Sequence, residues 1–323
     1  MRKIFKLTTI GLAALLLTAC KTSVNALEGT NDKEGQGETF ANTQYEAVQS
    51  YVDWAGVEAL PDNADATTIT IAYGYSAYPI AYTTNEGGAS GYDIEILKAV
   101  DALLPDYKFE FVPSAGGDDL LLGVQTGKTD GAVRNWFQTA QRREIFTFPE
   151  KNIGLSVTGL TVRKDEIDNI HDFATLSKAG GRIVPVDPGD GHYTVLKTWC
   201  DNNPELSWDF ETGQLANSAD AYAWVAEGRY DAYFGLQVTF NSVVLGDKGS
   251  AHQYADKLIW TPCAAIPTYV IFAGNDKGKA IAADFDSVID KIWDSGYTNF
   301  VQQTLYGEDY ISTYGRDGAG FNK

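Results

Sequence analysis

Arg142 is the group in this chain best suited to hold a small anion. A guanidinium is planar, and its forked donors can make two parallel hydrogen bonds to one carboxylate. In a cleft that pair is screened less than at the surface. The plainer alternative is a solvated arginine paired with Glu144 or Glu150. Thr139, three residues earlier, could contact a ligand or cap a helix over 140–146. Asn135 carries an amide that both donates and accepts, and Trp136 and Phe137 beside it could wall a pocket or pack in the core. A second candidate is the turn Pro188-Gly189-Asp190-Gly191-His192, which precedes a helix expected over His192–Asn202. Free N–H groups at such a helix start attract carboxylates, although Asp190 places a negative charge there. Asp187 or Asp190 could accept a ligand ammonium group, and Asp190 could equally cap the helix. No set of residues suggests catalysis.

Composition narrows the partners. Lys and Arg number 25 against 43 Asp and Glu, a net charge of −18. Phosphate binding needs a basic face, so nucleic acid is excluded, as is adhesion to an anionic lipid surface. Three scattered His and three scattered Cys argue against a zinc or haem centre. His192 has no partner at a metal-ligand spacing, and no cofactor is expected. Apolar residues make up 44% of 323 residues. That is enough for a sizeable core, in two domains of roughly 100–150 residues each.

The elements that must position these groups can be read along the chain. Residues 1–19 have a basic start (Arg2, Lys3, Lys6) and a short apolar run, Leu7–Leu17. The run is too short to span a bilayer as a stable helix and reads as a secretory signal. Leu17-Thr18-Ala19-Cys20 resembles the bacterial lipobox, which implies lipidation at Cys20 and a membrane held through that lipid anchor alone. Removing 1–19 takes away three positive charges and no acid. Residues 20–44 are polar and read as a flexible tether. A short helix is expected within Tyr45–Leu60, the start of a lead-in over 45–66. Cys200 and Cys263 remain in the exported body, where a disulfide is permitted; a bonded pair and two buried free thiols are both open.

Strands are expected at Thr67–Tyr73, Phe109–Pro113 and Gly131–Asn135, with helices at Tyr92–Leu104 and Leu120–Thr126. This alternation predicts an α/β lobe with a largely parallel sheet. Two stretches then look alike, Gly123–Asn135 and Trp224–Leu236. Both carry V-x-x-G-x-x-D, as Val124, Gly127, Asp130 and as Val225, Gly228, Asp231. The glycines suit left-handed helix C-caps, and the repeat predicts two lobes of one architecture. Ligands of open α/β sheets sit beyond the C-terminal strand ends. Facing lobes would therefore form a cleft.

Four segments resemble extracellular solute-binding proteins of family 3, the amino-acid receptors of ABC importers. Gly91-Tyr92-Asp93-Ile94-Glu95-Ile96 resembles the family's G-F-D-x-D-L signature. Leu120–Phe148 is similar to its helix–G–x–x–D–strand–T–P–E–R–x–x–x–x–F block. Val184–Gly191 with the following helix resembles its strand–G–T–G–helix, and Phe285–Gly307 its closing helices. The resemblance implies a two-lobed periplasmic-binding-protein-like type II α/β fold, with the ligand cleft between lobes joined by two crossover strands. Lobe one would be 67–156 plus 266–312, lobe two 157–265, and the tail 313–323, with crossings near Ile153–Val157 and Ala264–Thr268. It implies a small-molecule ligand, an amino acid or analogue, an ABC transporter permease as partner, a monomer, and an extracytoplasmic place. Arg142 matches the arginine that clamps the ligand carboxylate, and Tyr75 or Tyr78 the aromatic against the ligand side chain. Asn135, Trp136 and Phe137 take the strand-end positions, and Asp187, Asp190 and Gly191 the turn of the second lobe. Two positions depart from the pattern. The acid that receives the amino group falls at Leu236, and an aromatic wall falls at Gly117. A ligand sensor acting through another protein, or a dehydratase-like enzyme on the same scaffold, are the other readings.

Overall fold

The computed structural model describes residues 50–319, Ala216 excepted. The signal, Cys20 and the tether lie outside the described residues. The lead-in helix α1 is short, Tyr51–Ala55. Ser50 accepts from the Asp53 N–H at its start, and Gly56 ends it at φ 62°.

Strand β1 (Thr67–Gly74) leads into a small antiparallel sheet of β2 (Ser76–Ala77), β3 (Ala81–Thr83) and β4 (Ala89–Ser90). Helix α2 (Tyr92–Asp101), β5 (Tyr107–Ser114), α3 (Gly117–Gln125), β6 (Gly131–Phe137), α4 (Ala140–Ile145) and β7 (Phe146–Thr147) follow. Helix α2 can start only at a glycine. Gly91 has φ 116°, and a Cβ there would lie 2.5 Å from the Ile80 carbonyl oxygen. The buried residues Ile94, Leu97 and Val100 recur at helical spacing and carry α2 onto the sheet.

The second half contains β8 (Gly154–Arg163), α5 (Phe173–Lys178), α6 (Gly191–Asn202), α7 (Ser218–Ala226), β9 (Ala232–Leu236) and α8 (Gln237–Phe240). Strand β10 (Leu258–Ala273) returns, and α9 (Asp276–Asp294), α10 (Tyr297–Tyr306) and α11 (Tyr310–Tyr314) close the chain. One seven-stranded sheet runs through both halves in the order β5-β1-β6-β10-β8-β9, with β7 also pairing β10. Strands β5, β1 and β6 are parallel, as expected. The second half differs, because β9 pairs β8 antiparallel. The strand expected after Val184 makes only isolated bridges, Ile183 to Ala232 and Val186 to Thr212.

The two crossings pair with each other, Gly154 to Thr268 and Val157 to Ala265, with a register shift between Pro262 and Ala264. Core residues gather on either side of this ribbon. Ile69, Ile71, Ile94, Phe285 and Ile289 belong to one cluster. Leu160, Phe173, Leu196, Trp199 and Phe234 belong to another. The fold is the two-lobed type II periplasmic-binding-protein architecture. The segment beyond α11 is no loose tail as far as it is described, because the Ala265 N–H donates to the Ala319 carbonyl at 2.9 Å. Cys200 and Cys263 are buried in the second cluster as free thiols, so the disulfide is not formed. Burial pushes the Cys263 thiol up to about 12, with Asp172 adding to it.

Candidate ligand cleft

Helix α4 presents Arg142. Thr139 caps that helix, its hydroxyl accepting from the Arg142 N–H at 3.2 Å. The arginine is only 9% exposed. It makes no ion pair with Glu144 or Glu150 among the described residues. Instead Nη1 donates to the Phe137 carbonyl at 3.1 Å, and Nη2 donates to the Gly189 carbonyl at 3.2 Å. Its guanidinium lies 4.8 Å from the centre of the Trp136 ring. Burial lowers the Arg142 pKa, and the Asp190 carboxylate opposes that shift. The fork thus sits between the end of β6 and the turn before α6, held by neutral acceptors.

Asn135 ends the regular part of β6 in the left-handed region, φ 56°. Its N–H donates to Asp93 Oδ2 at 2.8 Å, and its amide donates to Ser156 Oγ at 2.8 Å. One asparagine therefore ties β6 to α2 and to the crossover strand β8. Asp93 is fully buried, and its Oδ1 has no partner among the described residues. Burial raises the Asp93 carboxyl to about 7, although the Asn135 N–H pulls it down. In the sequence Asp93 stands only within the Gly91–Ile96 signature, where nothing assigns it to the site. The available signal was a pair of acids, Asp93 and Glu95, alternating with Tyr92, Ile94 and Ile96 at the start of α2.

The second half closes on this strand end. Phe137 packs in the second cluster, 5.4 Å from the His192 ring. Gly191 must be glycine for that contact, because a Cβ would lie 2.6 Å from Phe137 Cδ2. Asp190 caps α6, accepting from the His192 N–H at 3.0 Å and contacting His192 Nδ1 at 2.9 Å. Burial works to raise the Asp190 carboxyl, but His192 and Arg142 hold it well below the usual range. Asp187 Oδ1 accepts from the Gly189 N–H at 2.8 Å and so shapes the turn that aims the Gly189 carbonyl at Arg142. Trp136 is buried with Leu120 and Val124. Tyr78 is buried against Tyr82 at 5.0 Å, while Tyr75 is half-buried. Leu236 packs against both main clusters and offers no charge. The arrangement gathers Arg142, Asn135, Phe137, Gly189 and Gly191 at one seam, with Asp187 and Asp190 engaged by their own turn.

The profile of the bacterial extracellular solute-binding proteins, family 3, matches residues 69–307. The chain belongs to that family. This solute-binding protein is 24% identical over 245 residues to the L-cystine-binding protein TcyJ of Bacillus subtilis, covering 76% of this chain and 86% of the relative. It is 26% identical over 249 residues to TcyK, another L-cystine-binding protein of the same organism, covering 75% and 85%. Among solved structures it resembles the probable amino-acid ABC transporter extracellular-binding protein YtmK of Bacillus subtilis. The TM-score is 0.59 at 23% identity, covering 76% of this chain and all of the other. The solute-binding protein thus shares its two-lobed fold with YtmK.

Proposed function

We propose that this solute-binding protein captures an amino acid or related small carboxylate between its lobes and delivers it to the permease of an ABC importer. The lobes are 67–156 with 266–312, and 157–265. The observation that carries the reading is the buried Arg142 fork at the seam, resting on two neutral carbonyls. A carboxylate is the stronger acceptor for a guanidinium, so an entering ligand would replace the Gly189 carbonyl. That bond joins the two lobes, which couples ligand entry to lobe movement. The relatives named as L-cystine-binding proteins support the amino-acid class. Asn135, Thr139 and Tyr75 complete the first-lobe side. Asp187 is the candidate for an ammonium group, since Leu236 cannot serve and Asp190 caps α6. The protein binds rather than transforms its solute, works as a monomer, and is held outside the cytoplasm by a lipid on Cys20.

Calorimetry with a panel of amino acids tests the clamp. Arg142→Ala should weaken binding by about 2–4 kcal/mol, because a charge-assisted bidentate pair is lost. A change below about 0.5 kcal/mol, less than one ordinary hydrogen bond, removes Arg142 from the site. For the anchor, Cys20→Ser should move the protein from the membrane fraction to the soluble fraction without changing its melting temperature. Unaltered membrane association would exclude the lipid on Cys20.

A further inference from the structure

Arg134 is the described arginine that nothing in the protein holds. Arg142 donates to two carbonyls, and Arg163 and Arg182 pair with Asp231 and Glu211. Arg316 pairs with Asp294, Arg143 donates to Gln138, and Arg229 lies over the Trp224 ring. Arg134 has no ion pair, hydrogen bond or ring contact among the described residues, and it is exposed. In a chain with 43 acids against 25 bases, acids are plentiful. Asp118 and Asp119 in the first turn of α3 make no ion pair with it.

Its place is also shaped. Arg134 precedes Asn135 at the end of β6 and runs between two glycines. A Cβ at Gly74, the end of β1, would lie 3.5 Å from Arg134 Cδ. A Cβ at Gly117, the start of α3, would lie 3.2 Å from Arg134 Nη1 and 3.7 Å from Trp136 Cη2. Any larger side chain at 117 would therefore take the space the guanidinium uses. The indole of Trp136 is common ground, with Arg142 over its face and Arg134 beyond the edge that faces Gly117. Two guanidiniums at one strand end repel each other unless an anion lies between or across them.

We infer that Arg134 is a second anion-binding group of the cleft, and that the preferred solute carries two carboxylates. This rests on the capture reading above and specifies the substrate class. One carboxylate goes to Arg142 and the other to Arg134. Leu236, where an acid would disfavour such a ligand, is apolar. The bare Arg134 side chain is solvated, so its ion pair with a ligand gains strength only as the lobes exclude water.

The test is titration calorimetry on the full chain with L-glutamate, L-glutamine and L-cystine. Glutamate and glutamine differ only in the second carboxylate, and cystine carries two. The parent should prefer glutamate to glutamine by roughly tenfold or more, the worth of one charge-assisted hydrogen bond. Arg134→Gln should collapse that ratio and weaken cystine by a similar factor. Arg134→Lys should keep most of the ratio, and Arg142→Gln should weaken glutamate and glutamine together. Unliganded melting temperatures of the Arg134 variants should match the parent, since the side chain touches no partner. A parent that binds glutamine as well as glutamate, or an unchanged ratio in Arg134→Gln, overturns the second site and leaves the capture reading standing. A parent that binds none of the three but binds another amino acid of the panel overturns the second site alone; a parent that binds no member of the panel overturns both.

Discussion

Asp130 and Asp231 do the same work in the two halves of the molecule, while the strands that follow them end in different chemistry. Asp130 Oδ2 accepts from the Thr70 N–H at 2.9 Å, and the Asp130 N–H donates to the Thr70 carbonyl at 2.9 Å. Asp231 Oδ2 accepts from the Arg182 N–H at 2.8 Å, and its own N–H donates to the Arg182 carbonyl at 2.8 Å. Each acid also meets a cation, Lys277 at 2.6 Å and Arg163 at 3.4 Å. Each follows a left-handed glycine, Gly127 at φ 74° and Gly228 at φ 77°. Beyond this shared start the halves part. Strand β6 runs to Phe137 and delivers Arg134, Asn135 and the approach to Arg142. Strand β9 stops at Gly235-Leu236 and delivers apolar surface. The frame is thus repeated, but both arginines of the strand end, Arg134 and Arg142, stand on the first half. The second half supplies a turn, Gly189 to Gly191, that closes over it.

Two experiments probe that comparison, the larger expected effect first. Asp130→Ala and Asp231→Ala each strip a backbone N–H of its acceptor, so each should lower stability by about 1–3 kcal/mol. Urea unfolding of the two variants should give similar losses. Costs differing by more than about 2 kcal/mol, beyond the spread expected for one kind of bond, would show that the two acids are not equivalent. The second concerns Asp93, which has no counterpart beside Leu236. Its folded-state carboxyl is raised from 3.8 to about 7, so the folded state holds a proton that the unfolded chain releases near pH 4. The stabilisation from that proton is complete below about pH 4 and is lost as pH rises through about 7. Asp93→Asn removes the ionisation. Its stability relative to the parent should rise between pH 4 and pH 8, by about 1–3 kcal/mol. Asp101, raised by burial to about 6, is common to both proteins and cancels in the difference. A difference that does not change with pH would mean that Asp93 is not buried as a titrating group.

Much of this was legible in the sequence because it depends on local rules. A glycine followed three residues later by an aspartate marked both helix ends, since a left-handed residue lets the chain turn there. Asp190 and Thr139 read as caps because short oxygen side chains accept from the first helical N–H groups. Arg142 was legible through its spacing from Thr139 and its match to a family block. What stayed hidden depends on contacts between distant segments. Asp93 reads locally as a first-turn acid that favours a helix start. It is buried because β6 lies over it and Asn135 uses its oxygen. Arg134 sits in a strand where alternation gives no cue to the gap left by Gly74 and Gly117. The second lobe was expected to repeat the parallel sheet, but β9 pairs with the crossover strand β8 instead.

In the proposed function the first half takes the ligand carboxylate through Arg142 while the second half closes over it. A crystal structure of the protein with a bound amino acid tests it directly. Both Arg142 Nη atoms should lie within about 2.7–2.9 Å of the ligand carboxylate, with the Gly189 carbonyl no longer accepting from Nη2. A ligand whose carboxylate lies elsewhere, with Arg142 still donating to Phe137 and Gly189, would contradict it.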